Sequence, residues 1–184
     1  MALTPSNMLP LGTKAPHFSL IDTVSDEMVT LYEEKGDQAT VIMFICNHCP
    51  FVIHVNQGLV QLANDYISKG VRFIAISSND VENYPADAPH LMKENAKTQG
   101  YPFPYLYDKT QEVAKAYDAA CTPDFYIFNK DLELTYRGQL DDSRPNNGIP
   151  VTGKDIRTAL NALLKGEKVA TDQKPSIGCN IKWL

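Results

Sequence analysis

The sequence has little positive charge, few cysteines, one tryptophan and no long hydrophobic run. Its 184 residues hold 17 Lys and Arg against 22 Asp and Glu, a formal charge of −5, and a pI near 5.3. Neutralising phosphates or anionic lipid needs a basic face, and none is visible, which argues against nucleic acid and membrane surfaces as partners. No segment approaches the roughly 20 apolar residues of a membrane span, and Met1 to Leu11 lacks the basic and apolar regions of a signal peptide, so a soluble, cytoplasmic protein is expected. Four cysteines are too few for a disulfide-stapled small domain. No repeat, low-complexity tract or Gly/Ser linker divides the chain. With 43% apolar and 21% charged residues, it can bury a core. A single domain over residues 1–184 is expected.

Ala39 to Ile45 is a continuous apolar run, the mark of a strand buried on both faces. After Cys49-Pro50, Val52, Val55, Leu59, Leu62 and Tyr66 recur every three or four residues, predicting a helix stopped by Gly70. Val71 to Ser77 repeats the buried-strand pattern. Strand, helix, strand with a parallel pairing sets an α/β class. A connection follows in which Asp87-Ala88-Pro89 opens a short helix to about Lys97, before Pro102 and Pro104 break the pattern. Gln111 to Tyr117 predicts a helix capped by Asp108 or Thr110. Phe125 to Phe128 and Glu133 to Arg137 predict an antiparallel hairpin. Thr152-Gly153-Lys154-Asp155 reads as a capping box before a helix with Ile156, Leu160, Leu163 and Leu164 on its buried face and Gly166 past its end. Pro16 to Asp22 and Met28 to Tyr32 predict an N-terminal hairpin.

The chemistry concentrates at Cys46-Asn47-His48-Cys49. Placed between a buried strand and a helix, Cys46 meets unsatisfied N–H groups and the positive end of the helix dipole, which favour a thiolate. With both cysteines in a first helical turn, they are near enough to form a disulfide or share a metal ion, and Pro50 is tolerated there. His48 beside Cys46 favours the thiolate further and makes a disulfide easier to reduce. On this reading Cys46 is the nucleophile and Cys49, more buried, resolves the mixed disulfide. A closed zinc site wants a second Cys or His pair, and none is present, so no metal is expected.

Three segments, Pro16-His17-Phe18-Ser19-Leu20-Ile21-Asp22, Phe44-Ile45-Cys46-Asn47-His48-Cys49-Pro50 and Thr122-Pro123, resemble those of the thioredoxin superfamily, in its redoxin (AhpC/TSA-like) branch. The likeness covers about residues 12–166. Ile76-Ser77-Ser78-Asn79-Asp80, Asp141-Asp142-Ser143-Arg144-Pro145 and Pro175-Ser176-Ile177-Gly178-Cys179-Asn180-Ile181-Lys182-Trp183 extend it to bacterial thioredoxin-like, peroxiredoxin-like proteins of similar length. The resemblance implies a thioredoxin fold: a central mixed β-sheet flanked by helices, with an N-terminal hairpin extension, an insert at 79–104 and a C-terminal tail at 167–184. It implies a cis peptide bond before Pro123, with Thr122, Pro123, Asn47 and Pro50 forming the surface that meets a bound substrate. It further implies thiol-disulfide exchange with protein or low-molecular-weight thiols and disulfides, renewed by an upstream thiol reductant, with no cofactor beyond the redox-active disulfide. Thioredoxin itself has a buried aspartate where Thr40 stands, and no base evidently replaces it. Peroxiredoxins would place their peroxidatic cysteine at Cys49, a Thr or Ser at Cys46 and a proline at Ile42. A thiol peroxidase is the second expectation, and a non-enzymatic metal or redox-sensing module built on Cys46, Cys49 and Cys121 the third.

Cys121, two residues before Pro123, reads as a buried small hydrophobe or an auxiliary thiol. Cys179 lies in a tail that Lys174-Pro175 keeps from helix. The tail is expected to dock through Ile177, Ile181 and Trp183; were it mobile, Cys179 would be a candidate resolving thiol. His17, His54 and His90 are isolated, and Asp141, Asp142 and Arg144 read as a solvated turn.

Overall fold

A computed structural model describes residues 3–184, so the first two residues of the expected domain lie outside the described ones. The chain begins with β1 (Leu3–Pro5), a hairpin of β2 (Ser19–Asp22) and β3 (Met28–Thr30), and the single-turn α1 (Leu31–Glu34). The expected strand, helix, strand unit follows as β4 (Ala39–Phe44), α2 (Pro50–Ile67) and β5 (Val71–Ser77). Next come a 3-10 turn at Pro85–Asp87, α3 (Pro89–Gln99), β6 (Tyr105–Tyr107), α4 (Glu112–Ala116) and β7 (Cys121–Thr122). The chain closes with β8 (Asp124–Asn129), β9 (Leu134–Gly138), α5 (Lys154–Leu164) and β10 (Ile177–Asn180).

Seven strands form one mixed sheet in the order β3-β2-β6-β5-β4-β8-β9. β5 runs parallel to β4 and β8 antiparallel on its other side, so every residue of β4 is buried. Alternate residues of β4 serve opposite layers. Val41 and Met43 pack with Leu59 and Leu62 of α2 and Leu160 of α5. Ile42 and Phe44 pack with Leu31 of α1, Ala114 of α4 and Tyr117. Helices therefore cover both faces, which is the α/β architecture expected.

Three local expectations are corrected. β6 went unread, because three residues after Pro102 and Pro104 are too short to show a period, yet they join β5 to the N-terminal hairpin. The capping box does not form. Gly153, at φ 69°, turns the chain into α5 without a side-chain cap, and the Asp141 carboxylate instead accepts the Thr152 and Gly153 N–H groups at 2.7 and 2.6 Å. The polar turn is consequently built in rather than solvated: Asp141 is buried, and Arg144 donates to the carbonyls of Asp141 and Ser143.

The tail docks as β10, the middle strand of a second sheet ordered β1-β10-β7. Its burial falls on Cys179 and Ile181, whereas Trp183 is 42% exposed. A Cβ on Gly178 would run into the Thr122 carbonyl, so glycine is what lets β10 lie against β7.

Candidate functional site

The C-x-x-C begins just past the end of β4. Ile45 still holds the sheet, its N–H donating to the Ile76 carbonyl at 3.0 Å, and the chain then leaves as a loop. Helix α2 starts at Pro50, with Cys49 as an extended N-cap at φ −70° and ψ 121°. Proline disfavours helical geometry in the residue before it, so the two cysteines do not share a first turn as expected. Cys49, rather than Cys46, occupies the N-terminus of an 18-residue helix, where the dipole favours negative charge.

One residue that the sequence reading takes only as the start of a helix organises the loop. Asp87, fully buried at the end of the 3-10 turn, accepts the Asn47 N–H at 2.8 Å and the His48 N–H at 3.3 Å. Its second oxygen lies 2.7 Å from His48 Nδ1 and accepts from Asn79 Nδ2 at 2.8 Å. His48 is thus turned toward Asp87, and its ring stacks on Tyr84 at 5.8 Å. The Asn47 amide donates to the Ala86 carbonyl, and its oxygen accepts from Asn95 and the Tyr105 hydroxyl, both at 3.2 Å. Residues 79–104 therefore border the site and fix both residues between the cysteines. Pro50 is exposed at the first position of α2.

The sulfurs gather on Thr122, which precedes a cis bond to Pro123. Cys46 Sγ lies 3.5 Å from Thr122 Oγ1, and Cys49 Sγ lies 3.2 Å from the Thr122 carbonyl oxygen. On its other side, Cys49 Sγ makes a 2.9 Å contact with Cys179 Sγ. All three are buried, at 1%, 0% and 2% exposure for Cys46, Cys49 and Cys179, and no disulfide joins them.

The electrostatics reverse the order expected of the pair. A hydrogen bond from Cys46 draws Cys49 down to about 4, against its burial, with further help from Cys179, Thr122 and the Val52 N–H. Donating that same bond, together with burial and the nearby Asp87 charge, pushes Cys46 well above an ordinary thiol. Of the two, Cys49 is thus the sulfur favoured as the thiolate. The expectation that His48 and the helix would make Cys46 the thiolate is corrected on both counts, since the helix terminus belongs to Cys49 and His48 faces a carboxylate. Burial, then the Cys49 hydrogen bond, pushes Cys179 up to about 12.

Cys121 lies in β7 with its thiol directed at the Pro123 carbonyl, 3.7 Å away. Burial pushes it up as well, as befits an inert thiol. Thr40 is a structural residue, its hydroxyl accepting the Gly36 N–H at 3.0 Å. Directly after Pro123 stands an acid that no motif announced. Asp124 is fully buried, accepts hydrogen bonds from the Ser6 and Tyr126 hydroxyls at 2.7 and 3.0 Å, and is raised by desolvation to about 7. Among the described residues, one group could hold a metal ion: Cys46, His48 and Asp87, whose ligand atoms lie within 4.8 Å of one another. It differs from the expected Cys46, Cys49 and Cys121 set, and Asp87 already serves four donors in it. Among the described residues no helix is long and apolar enough to cross a membrane.

The comparisons with known proteins accord with this arrangement. The chain is similar over its whole length to an uncharacterized conserved protein from Geobacillus kaustophilus, with 66% identity, 100% of this chain and 97% of that one covered, and a TM-score of 0.99. A hypothetical protein from Sinorhizobium meliloti 1021 follows at 48% identity, 98% coverage of both chains and a TM-score of 0.96. A putative thioredoxin from Neisseria meningitidis shares the fold at 23% identity, covering 83% of this chain and 91% of that one, with a TM-score of 0.63. A search of curated proteins gives no match. The model of the AhpC/TSA family matches residues 11–137, which hold the C-x-x-C, Asp87 and Thr122-Pro123. With that match spanning most of the chain, and the fold shared with the putative thioredoxin beneath it, the protein belongs to the AhpC/TSA family.

Proposed function

We propose that the protein is a thiol-disulfide oxidoreductase in which Cys46 and Cys49 cycle between dithiol and disulfide. The observation that carries the reading is geometric: Cys46 Sγ lies 3.5 Å from the Thr122 hydroxyl and Cys49 Sγ 3.2 Å from the Thr122 carbonyl, so both sulfurs of the C-x-x-C meet on the residue before the cis-proline. The Cys49 thiolate takes the Cys46 proton, and Cys46 then attacks one sulfur of a partner disulfide. A Cys46–partner bond forms, the partner's S–S bond breaks, and the departing thiolate takes the proton from Cys49. Cys49, again a thiolate, attacks Cys46 Sγ and expels the second partner thiolate, which is protonated by water. Two electrons pass from the dithiol to the partner, and an upstream thiol returns the protein to the dithiol. His48, Asn47 and Pro50 shape the rim, with Thr122 and Pro123 opposite them.

The test is turnover of a protein disulfide, insulin with dithiothreitol as reductant, by wild type and by Cys46→Ser. The rate is expected to fall to the uncatalysed level in the variant, and full retention would remove the mechanism. The charge on Cys49 favours a second reading, a thiol peroxidase, because the thiolate attacks peroxide to give a sulfenic acid and water or alcohol. Peroxide consumption that survives Cys46→Ser but not Cys49→Ser would select it.

A further inference from the structure

Cys49 has a sulfur neighbour on each side, and the second comes from the far end of the chain, 130 residues away. Cys179 pairs with Thr122 in the antiparallel register of β10 and β7, and with Leu3 of β1 on the other side. One strand alignment therefore sets both the Thr122 carbonyl and the Cys179 sulfur against Cys49. The 2.9 Å separation of the two sulfurs is about 0.9 Å longer than the ~2.05 Å of an S–S bond. The approach is anchored at both ends of the tail strand. Gly178 allows the close contact with Thr122. Beyond it, the Lys182 N–H donates to Asn79 Oδ1 at 2.8 Å, and its carbonyl accepts from the Asp80 N–H and Gln111 Nε2, both at 2.8 Å. Asn79 also binds Asp87, so the tail and the C-x-x-C loop hang on the same side chain.

We propose that Cys179 is a third redox thiol that competes with Cys46 for Cys49, so that the oxidised protein interconverts between a Cys46–Cys49 and a Cys49–Cys179 disulfide. The proposal deepens the oxidoreductase reading and rests on it for the source of the first disulfide. In the exchange, Cys179 as thiolate attacks Cys49 Sγ. The Cys49–Cys179 bond forms, the Cys46–Cys49 bond breaks, and Cys46 leaves as a thiolate and takes up the proton that Cys179 gave up. No electrons enter or leave. The Cys49–Cys179 bond reopens when Cys46 attacks Cys49 Sγ and Cys179 leaves. While it lasts, the protein stays oxidised by two electrons and Cys46 is a thiol able to attack a partner disulfide alone. Oxidation by glutathione disulfide reaches the same state directly: two thiols become one disulfide and two glutathiones are released.

The experiment uses the full chain as wild type, Cys46→Ser, Cys46→Ala and Cys179→Ser, equilibrated in reduced and oxidised glutathione at pH 7.5. Acid quenching, alkylation and non-reducing peptide mapping then read the connectivity. Cys46→Ser and Cys46→Ala are expected to yield a Cys49–Cys179 cross-linked peptide in most molecules, wild type to yield both connectivities, and Cys179→Ser only Cys46–Cys49. Folded Cys46 variants that keep Cys49 and Cys179 alkylatable, or glutathionylate Cys49 without a cross-link, in buffer that fully oxidises wild type, overturn the proposal. So does a wild-type titration free of any Cys49–Cys179 peptide, which covers variants that do not fold. Cys46-dependent turnover without the cross-link leaves the two-thiol oxidoreductase standing and removes the exchange. A cross-link in the Cys46 variants, with no Cys46-dependent turnover in wild type, supports Cys179 as a redox thiol and removes the oxidoreductase reading instead.

Discussion

Replacing Asp87 by asparagine keeps the size of the side chain and removes its charge. The carboxylate accepts four hydrogen bonds: two backbone N–H groups of the C-x-x-C loop, the His48 ring and the Asn79 amide. A carboxamide keeps one oxygen, which can still serve the backbone pair. Its NH2 then faces His48 Nδ1, which can accept in its other tautomer, and the NH2 of Asn79, which cannot. Asn79 cannot simply flip, because its oxygen already accepts from Lys182. Bonds to a charged acceptor are worth about 1.5–3 kcal/mol against about 0.5–1.5 for neutral ones, and an unpaired buried donor costs about 1–3. The expected loss is therefore about 2–4 kcal/mol, read as a lower urea midpoint at unchanged slope. The same substitution removes a negative charge that holds the Cys46 proton on, so Cys46 should titrate at lower pH and alkylate faster at a given pH. A stability change under about 0.5 kcal/mol, the scale of an exposed pair, with an unchanged Cys46 profile, would refute the role assigned to Asp87.

Two further outcomes concern protons. Asp124 is raised to about 7 by burial, while the unfolded chain loses this proton near 3.9. Its contribution is thus whole below about pH 4 and is lost as pH rises to about 7, roughly 4 kcal/mol at about 1.4 kcal/mol per unit. The difference in unfolding free energy between wild type and Asp124→Asn should shrink by about that amount across the window; a difference constant to within about 1 kcal/mol would contradict it. Cys49 lies near 4, so thiolate absorbance at 240 nm should persist in the reduced protein at pH 6, fall only near pH 4, and vanish in Cys49→Ser. Absorbance that appears only above pH 8 would show the charge is not on Cys49.

Much of the fold was legible because the buried runs are regular. Ala39 to Ile45 and Val71 to Ser77 announce themselves as strands buried on both faces, and the spacing from Val52 to Tyr66 reproduces the buried stripe of α2. What escaped depends on distant pairing. β6 is three residues long, Asp87 is an isolated acid whose partners lie some 40 positions earlier, and Asp124 meets Ser6 across 118. The one locally readable signal at the C-x-x-C was Pro50. Its restriction on the preceding residue already puts Cys49 outside the helix, at the cap, and so already moves the dipole's charge from Cys46 to Cys49.

That shift also answers the missing aspartate. A buried thiol that must be deprotonated needs a base within hydrogen-bond reach, and Thr40, bonded to Gly36, supplies none. Asp87 is a carboxylate close to Cys46, but its oxygens are occupied by donors, and its charge acts on Cys46 in the wrong direction, holding the proton on. Asp124, on the far side of Pro123, is held by Ser6 and Tyr126. The base in contact with Cys46 is the Cys49 thiolate, stabilised by its neighbours and the helix terminus. On the proposed chemistry, the proton moves to Cys49 against the resting preference, so the fraction of molecules with a Cys46 thiolate limits the exchange. The residues around it govern which sulfur holds the proton: Asp87 keeps it on Cys46, and each donor to Cys49 keeps it from moving back. Removing Asp87's charge or the Cys179 donor should both make the proton easier to share, the first by relieving Cys46 and the second by raising Cys49.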